Sequence, residues 1–170
     1  VQSRTLPNDG GLYLDLVTLG AAGEYRIRVE MSAGMRFFGV RCGPTDSLQA
    51  APARRRVTVI GDSFSEPTVN DAGAFTEHDG WVQQLSYLTG YDVWTCSKGG
   101  SGYVESGGTQ QYKFRNRLVD ALKHPGDILF AGGINDTSDD PATLRLEARA
   151  CYADTVAAGR GLIVMSPFWT

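Results

Sequence analysis

Hydrophobic positions from residue 57 onward alternate between short apolar runs and longer segments with helical spacing. The apolar runs, which favour strands, are Val57–Ile60, Tyr91–Thr95, Ile128–Ala131 and Leu162–Met165. The segments with helical spacing are Trp81–Leu88, Gln110–Lys123, and a third from Asp140 as the cap to about Ala158, with Gly159 as its stop. Strands that alternate with helices in this way predict a mainly parallel sheet covered by helices on both faces.

The N-terminal part of the chain follows a different period. In Glu24–Met31, apolar side chains alternate strictly with charged ones, which is typical of a half-buried strand in an antiparallel sheet. Leu12–Val17 and Met35–Arg41 are further strand candidates. We therefore predict an antiparallel β unit at residues 1–45, a linker at 46–56, and an α/β domain at 57–170.

Composition narrows the class of protein. The chain of 170 residues has 42% hydrophobic and 21% charged residues, which is enough apolar material for a packed core. The net charge is −3 and the basic residues are scattered, so the sequence predicts no nucleic-acid partner. No apolar run is long enough for a membrane span.

Small, polar, glycine-rich segments follow three of the predicted strands. They are Gly61–Ser65, Ser97–Gly102 and Gly132–Asp136. Because ligands bind beyond the carboxyl ends of the strands in an open parallel sheet, these segments should meet at one edge and form the site.

The residue types in these segments suit acyl transfer. Ser63 offers a hydroxyl nucleophile on the turn that leaves a strand. The backbone N–H of Gly102 and the side-chain amide of Asn135 are neutral donors that could stabilise a developing oxyanion.

Three motifs, taken in order, carry a resemblance to a known family. Gly61-Asp62-Ser63-Phe64-Ser65 resembles the first block of the SGNH (GDSL-type) hydrolases, with phenylalanine in place of the commoner leucine. Ser101-Gly102 resembles the second block, and Gly133-Ile134-Asn135-Asp136 resembles the third. The resemblance covers residues 57–170 and implies a flavodoxin-like three-layer α/β/α fold.

The resemblance also implies a serine esterase or deacetylase that needs no metal and no organic cofactor. Ser63 is the expected nucleophile, and the expected oxyanion hole comprises the N–H groups of Ser63 and Gly102 with the Asn135 amide. We interpret Asp62 and Asp136 as supporting residues that hold the loops by hydrogen bonds.

The last block of the family, an Asp-x-x-His motif that supplies the general base, has no counterpart in this sequence. His124 precedes a strand and so should lie at the wrong end of the sheet. His78 should lie near the site mouth, and we interpret it as a loop histidine and candidate substrate contact in preference to the general base. We expect the base to lie beyond Thr170 or on a second chain that completes the domain. The 170 residues alone should then be nearly inactive, because loss of the base costs about 10⁴-fold in rate.

Two interpretations stay open at this point. Tyr103, next to Gly102, either contacts substrate or packs in the core. The protein either hydrolyses esters or is a binding or structural module that keeps the fold without the base. A β unit before an SGNH-like domain resembles the arrangement in carbohydrate O-acetyl esterases, including ones carried by phage tails. This favours an acetylated polysaccharide as substrate over lipid or aryl esters, and a secreted or virion-associated protein over a cytoplasmic one.

Overall fold

A computed structural model describes residues 17–27, 39–66 and 80–165. The chain divides into two compact units, and their described parts are 17–27 with 39–53, and 54–66 with 80–165. Within the described part of the first unit no residue is in a strand. The strands predicted for the N-terminal β unit fall largely outside the described residues, so that unit stays a prediction.

The second unit is built on a sheet of four parallel strands. They are β1 (Arg56–Gly61), β2 (Asp92–Thr95), β3 (Asp127–Ala131) and β4 (Leu162–Met165). Their spatial order is β2-β1-β3-β4, which is the flavodoxin-like order expected for the predicted fold. Each strand lies on an apolar run found in the sequence.

In the described part of the unit, three α-helices connect the strands. They are α1 (Trp81–Thr89), α2 (Phe114–Ala121) and α3 (Pro141–Ala157). The start of α3 is as predicted, because an Asp140 carboxylate oxygen accepts the backbone N–H of Thr143 at 3.0 Å. Gly159 follows the helix with a φ of +69°, which is a left-handed conformation that glycine adopts without strain.

The second predicted helix is shorter than expected. Gln110–Tyr112 forms a separate 3₁₀ turn, and Lys113, with φ −53° and ψ 144°, is extended and interrupts the helix. The break has a tertiary cause, because the Phe114 N–H donates to the Gly102 carbonyl at 2.9 Å instead of to a carbonyl of a preceding turn. Among the described residues, no helix is long and apolar enough to cross a membrane.

Apolar side chains cover both faces of the sheet and form two cores. On one face, Ile60 and Phe130 pack against Phe114 and Leu118 of α2 and Cys151 of α3. On the other face, the core comprises β-strand residues and Val82 of α1; the strand residues are Val57, Val59, Val93, Leu129 and Ala131. The α/β unit is therefore a three-layer sandwich, as predicted.

Parallel pairing aligns the ends of the strands that precede the candidate loops. Gly61 is opposite Ala131, and Val59 is opposite Thr95. The segments after β1, β2 and β3 therefore leave the sheet at the same edge, which is where the predicted site residues meet.

Candidate active site

Ser63 lies on a tight turn directly after β1. Asp62, which is buried, accepts the Phe64 N–H on its Oδ1 at 3.0 Å, and its main-chain carbonyl accepts the N–H groups of Ser65 and Glu66. The turn buries Ser65 and leaves Ser63 exposed. Asp62 thus fixes the turn by hydrogen bonds, and the only exposed hydroxyl on it belongs to the predicted nucleophile.

The structure does not give Gly102 the oxyanion role that the sequence predicts. Its backbone N–H already donates to the Glu105 carbonyl at 2.9 Å, within a short bulge closed by pairing between Ser101 and Ser106. Gly102 is also buried. An N–H that already donates to a carbonyl within the fold cannot donate to a developing oxyanion unless that bond breaks.

A glycine pair, Gly99 and Gly100, precedes Ser101, and Gly99 lies beside the nucleophile. A Cβ on Gly99 would lie 3.5 Å from the Ser63 Cβ, so this stretch of backbone borders Ser63. Gly100 has a φ of +73°, and its N–H has no acceptor among the described residues. The amide of Gly100 is therefore a better oxyanion donor than that of Gly102. The sequence does contain a signal for this residue, since a Gly-Gly pair is typical of backbone that must adopt positive φ.

Asn135 is held in a defined orientation beyond β3. It lies in a 3₁₀ turn, Ile134–Asp136, and its side-chain Nδ2 donates to the Ser101 carbonyl at 2.9 Å. The bond uses one of the two amide hydrogens. The second hydrogen is available to a ligand at the sheet edge, as the predicted donor role requires.

Asp136 organises the loop that follows β2. Its Oδ2 accepts the N–H of Tyr103 at 2.9 Å, and its Oδ1 accepts the N–H groups of Val104 and Glu105 at 3.0 and 2.9 Å. The side chain is 1% exposed. One buried carboxylate therefore holds three consecutive amides and fixes the shape of the bulge that contains Gly102.

Gly102→Ala is expected to destabilise the α/β unit by about 2 kcal/mol. A Cβ at this position would overlap both carboxylate oxygens of Asp136, which cannot move without losing their backbone partners. Urea unfolding of the variant measures the change in the free energy of unfolding.

Gly90→Ala is the matched control for this experiment. Gly90 has a positive φ but open space around its Cα, so only backbone strain of about 1 kcal/mol should appear. Equal losses in the two variants would contradict the clash with Asp136.

Tyr103 lies in the core and does not reach the site, which corrects its interpretation as a substrate contact. The side chain is 6% exposed, and its ring lies 4.7 Å from the ring of Phe114, centroid to centroid. Its hydroxyl is 2.9 Å from that of Tyr152. Burial raises the pKa of the Tyr103 phenol. Of the two alternatives, the structure therefore favours packing in the core.

Arg117 of α2 is a site-bordering residue that the sequence analysis missed. Its guanidinium donates to the carbonyls of Gly61, Cys96 and Tyr112 and to the Ser101 hydroxyl. The side chain is 8% exposed, and burial is the main reason that its pKa is lowered. Nothing in the sequence separates it from the surface arginines of an amphipathic helix.

An ion pair lies at the end of the Ser63 turn. The Lys98 Nζ lies 2.7 Å from the Glu66 Oε1, and the other oxygen of Glu66 accepts the Gly99 N–H. The hydrogen bond that Lys98 donates to Glu66 raises the pKa of Lys98. This pair ties the turn after β1 to the loop after β2.

Of the two histidines, His124 lies within the described residues, and it lies away from the site. His124 is in the turn that leads into β3, at the opposite edge of the sheet from Ser63, as predicted. His78 falls outside the described residues, so its role as a substrate contact stays a prediction. Among the described residues, no group of three or more His, Cys, Asp or Glu side chains could hold a metal ion.

Comparisons with solved structures give the fold. The TesA structure is 24% identical, with a TM-score of 0.50, and the match covers 66% of this chain and 61% of that one. A family two carbohydrate esterase from Cellvibrio japonicus is 18% identical, with a TM-score of 0.53 and coverage of 69% and 44%. One from Clostridium thermocellum, in complex with cellohexaose, is 14% identical, with a TM-score of 0.55 and coverage of 72% and 47%.

These structures are SGNH (GDSL-type) hydrolases, so the α/β unit has the fold of that family, as the sequence motifs predict. The chain spans between 44% and 61% of the length of these structures. No family model and no curated protein matches the chain.

Proposed function

We propose that the protein hydrolyses carboxylic esters through an acyl-serine intermediate on Ser63. The observation that carries this proposal is the exposed Ser63 hydroxyl at the carboxyl edge of a parallel sheet, bordered by Gly99. The N–H groups of Ser63 and Gly100 have no acceptor among the described residues, and Asn135 keeps one amide hydrogen for a ligand. One nucleophile beside three neutral donors is the arrangement that acyl transfer requires.

The reaction proceeds in two halves. The Ser63 Oγ attacks the acyl carbon and gives its proton to a base, and the donors stabilise the negative charge on the former carbonyl oxygen. The alcohol leaves with that proton when the tetrahedral intermediate collapses. Water then attacks the acyl-serine, and the carboxylic acid is released as Ser63 regains its proton. Each donor contributes about 3–4 kcal/mol of transition-state stabilisation.

The general base belongs to a residue outside the described part of the site. We propose that a histidine oriented by an aspartate supplies it, from further along the protein or from a second chain that completes the domain. A module that only binds its ligand would carry the same loops without this base. The outcome of the labelling experiment below distinguishes the two.

The substrate that we propose is an O-acetylated carbohydrate polymer. Two of the structures with the same fold are carbohydrate esterases, and one of them is a complex with cellohexaose. The exposed position of Ser63 is compatible with a polymer that lies across the sheet edge. We further propose a secreted or virion-associated protein, since such polymers lie outside the cytoplasm.

Labelling with a fluorophosphonate probe is the direct test. We expect a covalent adduct on Ser63, identified by peptide mass spectrometry, because such probes react with serines activated by a base. Ser63→Ala should remove the adduct, and Ser65→Ala, which changes a buried hydroxyl of the same turn, should keep it. If the protein remains unlabelled even when the base is supplied, the proposal of an esterase fails and the protein is a binding module.

Substrate class is tested by acetate release. Acetylated xylan and acetylated glucomannan should release acetate in a reaction that depends on Ser63. Esters of p-nitrophenol with long acyl chains should be poor substrates. A preference for long acyl chains would overturn the carbohydrate proposal and leave ester hydrolysis intact.

A further inference from the structure

We propose that Arg117 is a positioning residue, which holds the Ser63 turn and the loop that orients Asn135 in a fixed relation to each other. This inference rests on the function proposed above. Arg117 touches neither a substrate nor the reacting atoms, and it acts through the main chain of the two segments.

One nitrogen of the guanidinium joins the two segments directly. The Nη2 of Arg117 donates to the Gly61 carbonyl at 2.9 Å and to the Ser101 hydroxyl at 2.7 Å. Gly61 lies two residues before Ser63, and the Ser101 carbonyl accepts the amide of Asn135. The path from nucleophile to donor therefore passes through a single hydrogen-bonded atom.

The remaining nitrogens prevent the guanidinium from moving. Nη1 donates to the carbonyl of Cys96, just after β2, and Nε donates to the Tyr112 carbonyl at 2.7 Å. The Phe114 ring lies against the group, with its centroid 5.1 Å from the Arg117 Cζ. A lysine could not reproduce this, since an ammonium group lacks the planar fork that reaches acceptors on several segments at once.

The partners of this buried cation point to a site and not to simple packing. All four acceptors are carbonyl or hydroxyl oxygens, and within the described structure no carboxylate is hydrogen-bonded to the guanidinium. Asp62 and Glu66 act on it only through space. Burying an unpaired charge is costly, and apolar residues of similar size would stabilise a core at least as well. Apolar residues could not, however, hold the Gly61 carbonyl and the Ser101 hydroxyl in a fixed relation, as the guanidinium does.

Hydrogen exchange followed by NMR tests the positioning role without any assay of activity. The reporters are the protected N–H groups of Ser65 and Ser101 and the side-chain amide of Asn135, and the β3 amides report global stability. In Arg117→Met we expect the reporters to exchange at least about tenfold faster relative to β3. Arg117→Lys should fall between Arg117→Met and wild type.

Arg160→Met is the control, because Arg160 is a half-buried arginine that also donates to a main-chain carbonyl, that of Leu122 just beyond the other end of α2. It should leave the reporters unchanged relative to β3. Equal acceleration of reporters and β3 amides in Arg117→Met, or no acceleration, would overturn the inference and assign Arg117 to general stability.

Ser101→Ala is a milder variant in case Arg117→Met fails to fold. It removes one acceptor and leaves three guanidinium bonds, so exchange at Ser65 and at the Asn135 amide should quicken while β3 is unchanged. In the active protein, kcat should fall about tenfold with an unchanged KM. If wild type shows no Ser63-dependent turnover, the proposed function fails, and the exchange data still decide on Arg117.

Discussion

Ser63→Ala is expected to lower the hydrolysis of p-nitrophenyl acetate by at least about 10⁴-fold when the general base is present. The alanine removes the only exposed hydroxyl of the turn after β1 while leaving its backbone hydrogen bonds intact. Because the variant cannot form an acyl-serine, only background hydrolysis should remain. Initial rates, normalised to folded protein, measure the effect, and Ser65→Ala should retain wild-type turnover.

The same pair of proteins, made as the 170 residues alone, tests where the base lies. We expect wild type and Ser63→Ala to differ little here, since a missing base costs about 10⁴-fold. A large difference would mean that the base is within reach. His78→Gln would then be compared with His124→Gln, which alters the histidine at the opposite edge of the sheet.

The strands and helices of the α/β unit could be predicted because local sequence determines them. Each apolar run between glycine-rich loops is too short for a buried helix, and all four runs form strands. Asp140 with Pro141 specifies the start of α3 through chemistry within a single turn. The helix at 110–123 was predicted too long, because its break depends on a bond from Phe114 to the distant Gly102.

The choice of Gly100 over Gly102 as the proposed oxyanion donor could not be predicted in the same way. Gly100 and Gly102 are equivalent in residue type, and both follow β2. They differ in that the Glu105 carbonyl accepts the N–H of Gly102, and Glu105 is itself held by a bond from its N–H to the distant Asp136. The sequence analysis missed Arg117 for the same physical reason. Apart from Tyr112, the acceptors of its hydrogen bonds lie on strand ends and loops that are distant in the sequence.

Asp136→Asn is expected to destabilise the α/β unit by about 4 kcal/mol. The carboxylate accepts three backbone N–H groups in a site that is 1% exposed. An asparagine can offer only one oxygen, so its NH₂ group must face at least one N–H donor. Urea unfolding should show a lower midpoint with an unchanged slope.

Asp139→Asn is the control for this experiment, because Asp139 lies in the same loop but accepts no hydrogen bond on its Oδ2 within the described structure. It should change the free energy of unfolding by less than about 1 kcal/mol. If Asp136→Asn were equally mild, the carboxylate would not be what holds the bulge.

If Asp136→Asn lowers the free energy of unfolding as expected, the variant that remains folded at low temperature should also hydrolyse ester more slowly than wild type. The amides that Asp136 holds, from Tyr103 to Glu105, set the position of Ser101, and Ser101 in turn orients the Asn135 donor. Asp136, which follows the proposed oxyanion donor Asn135, would then serve both the stability of the fold and the geometry of the site.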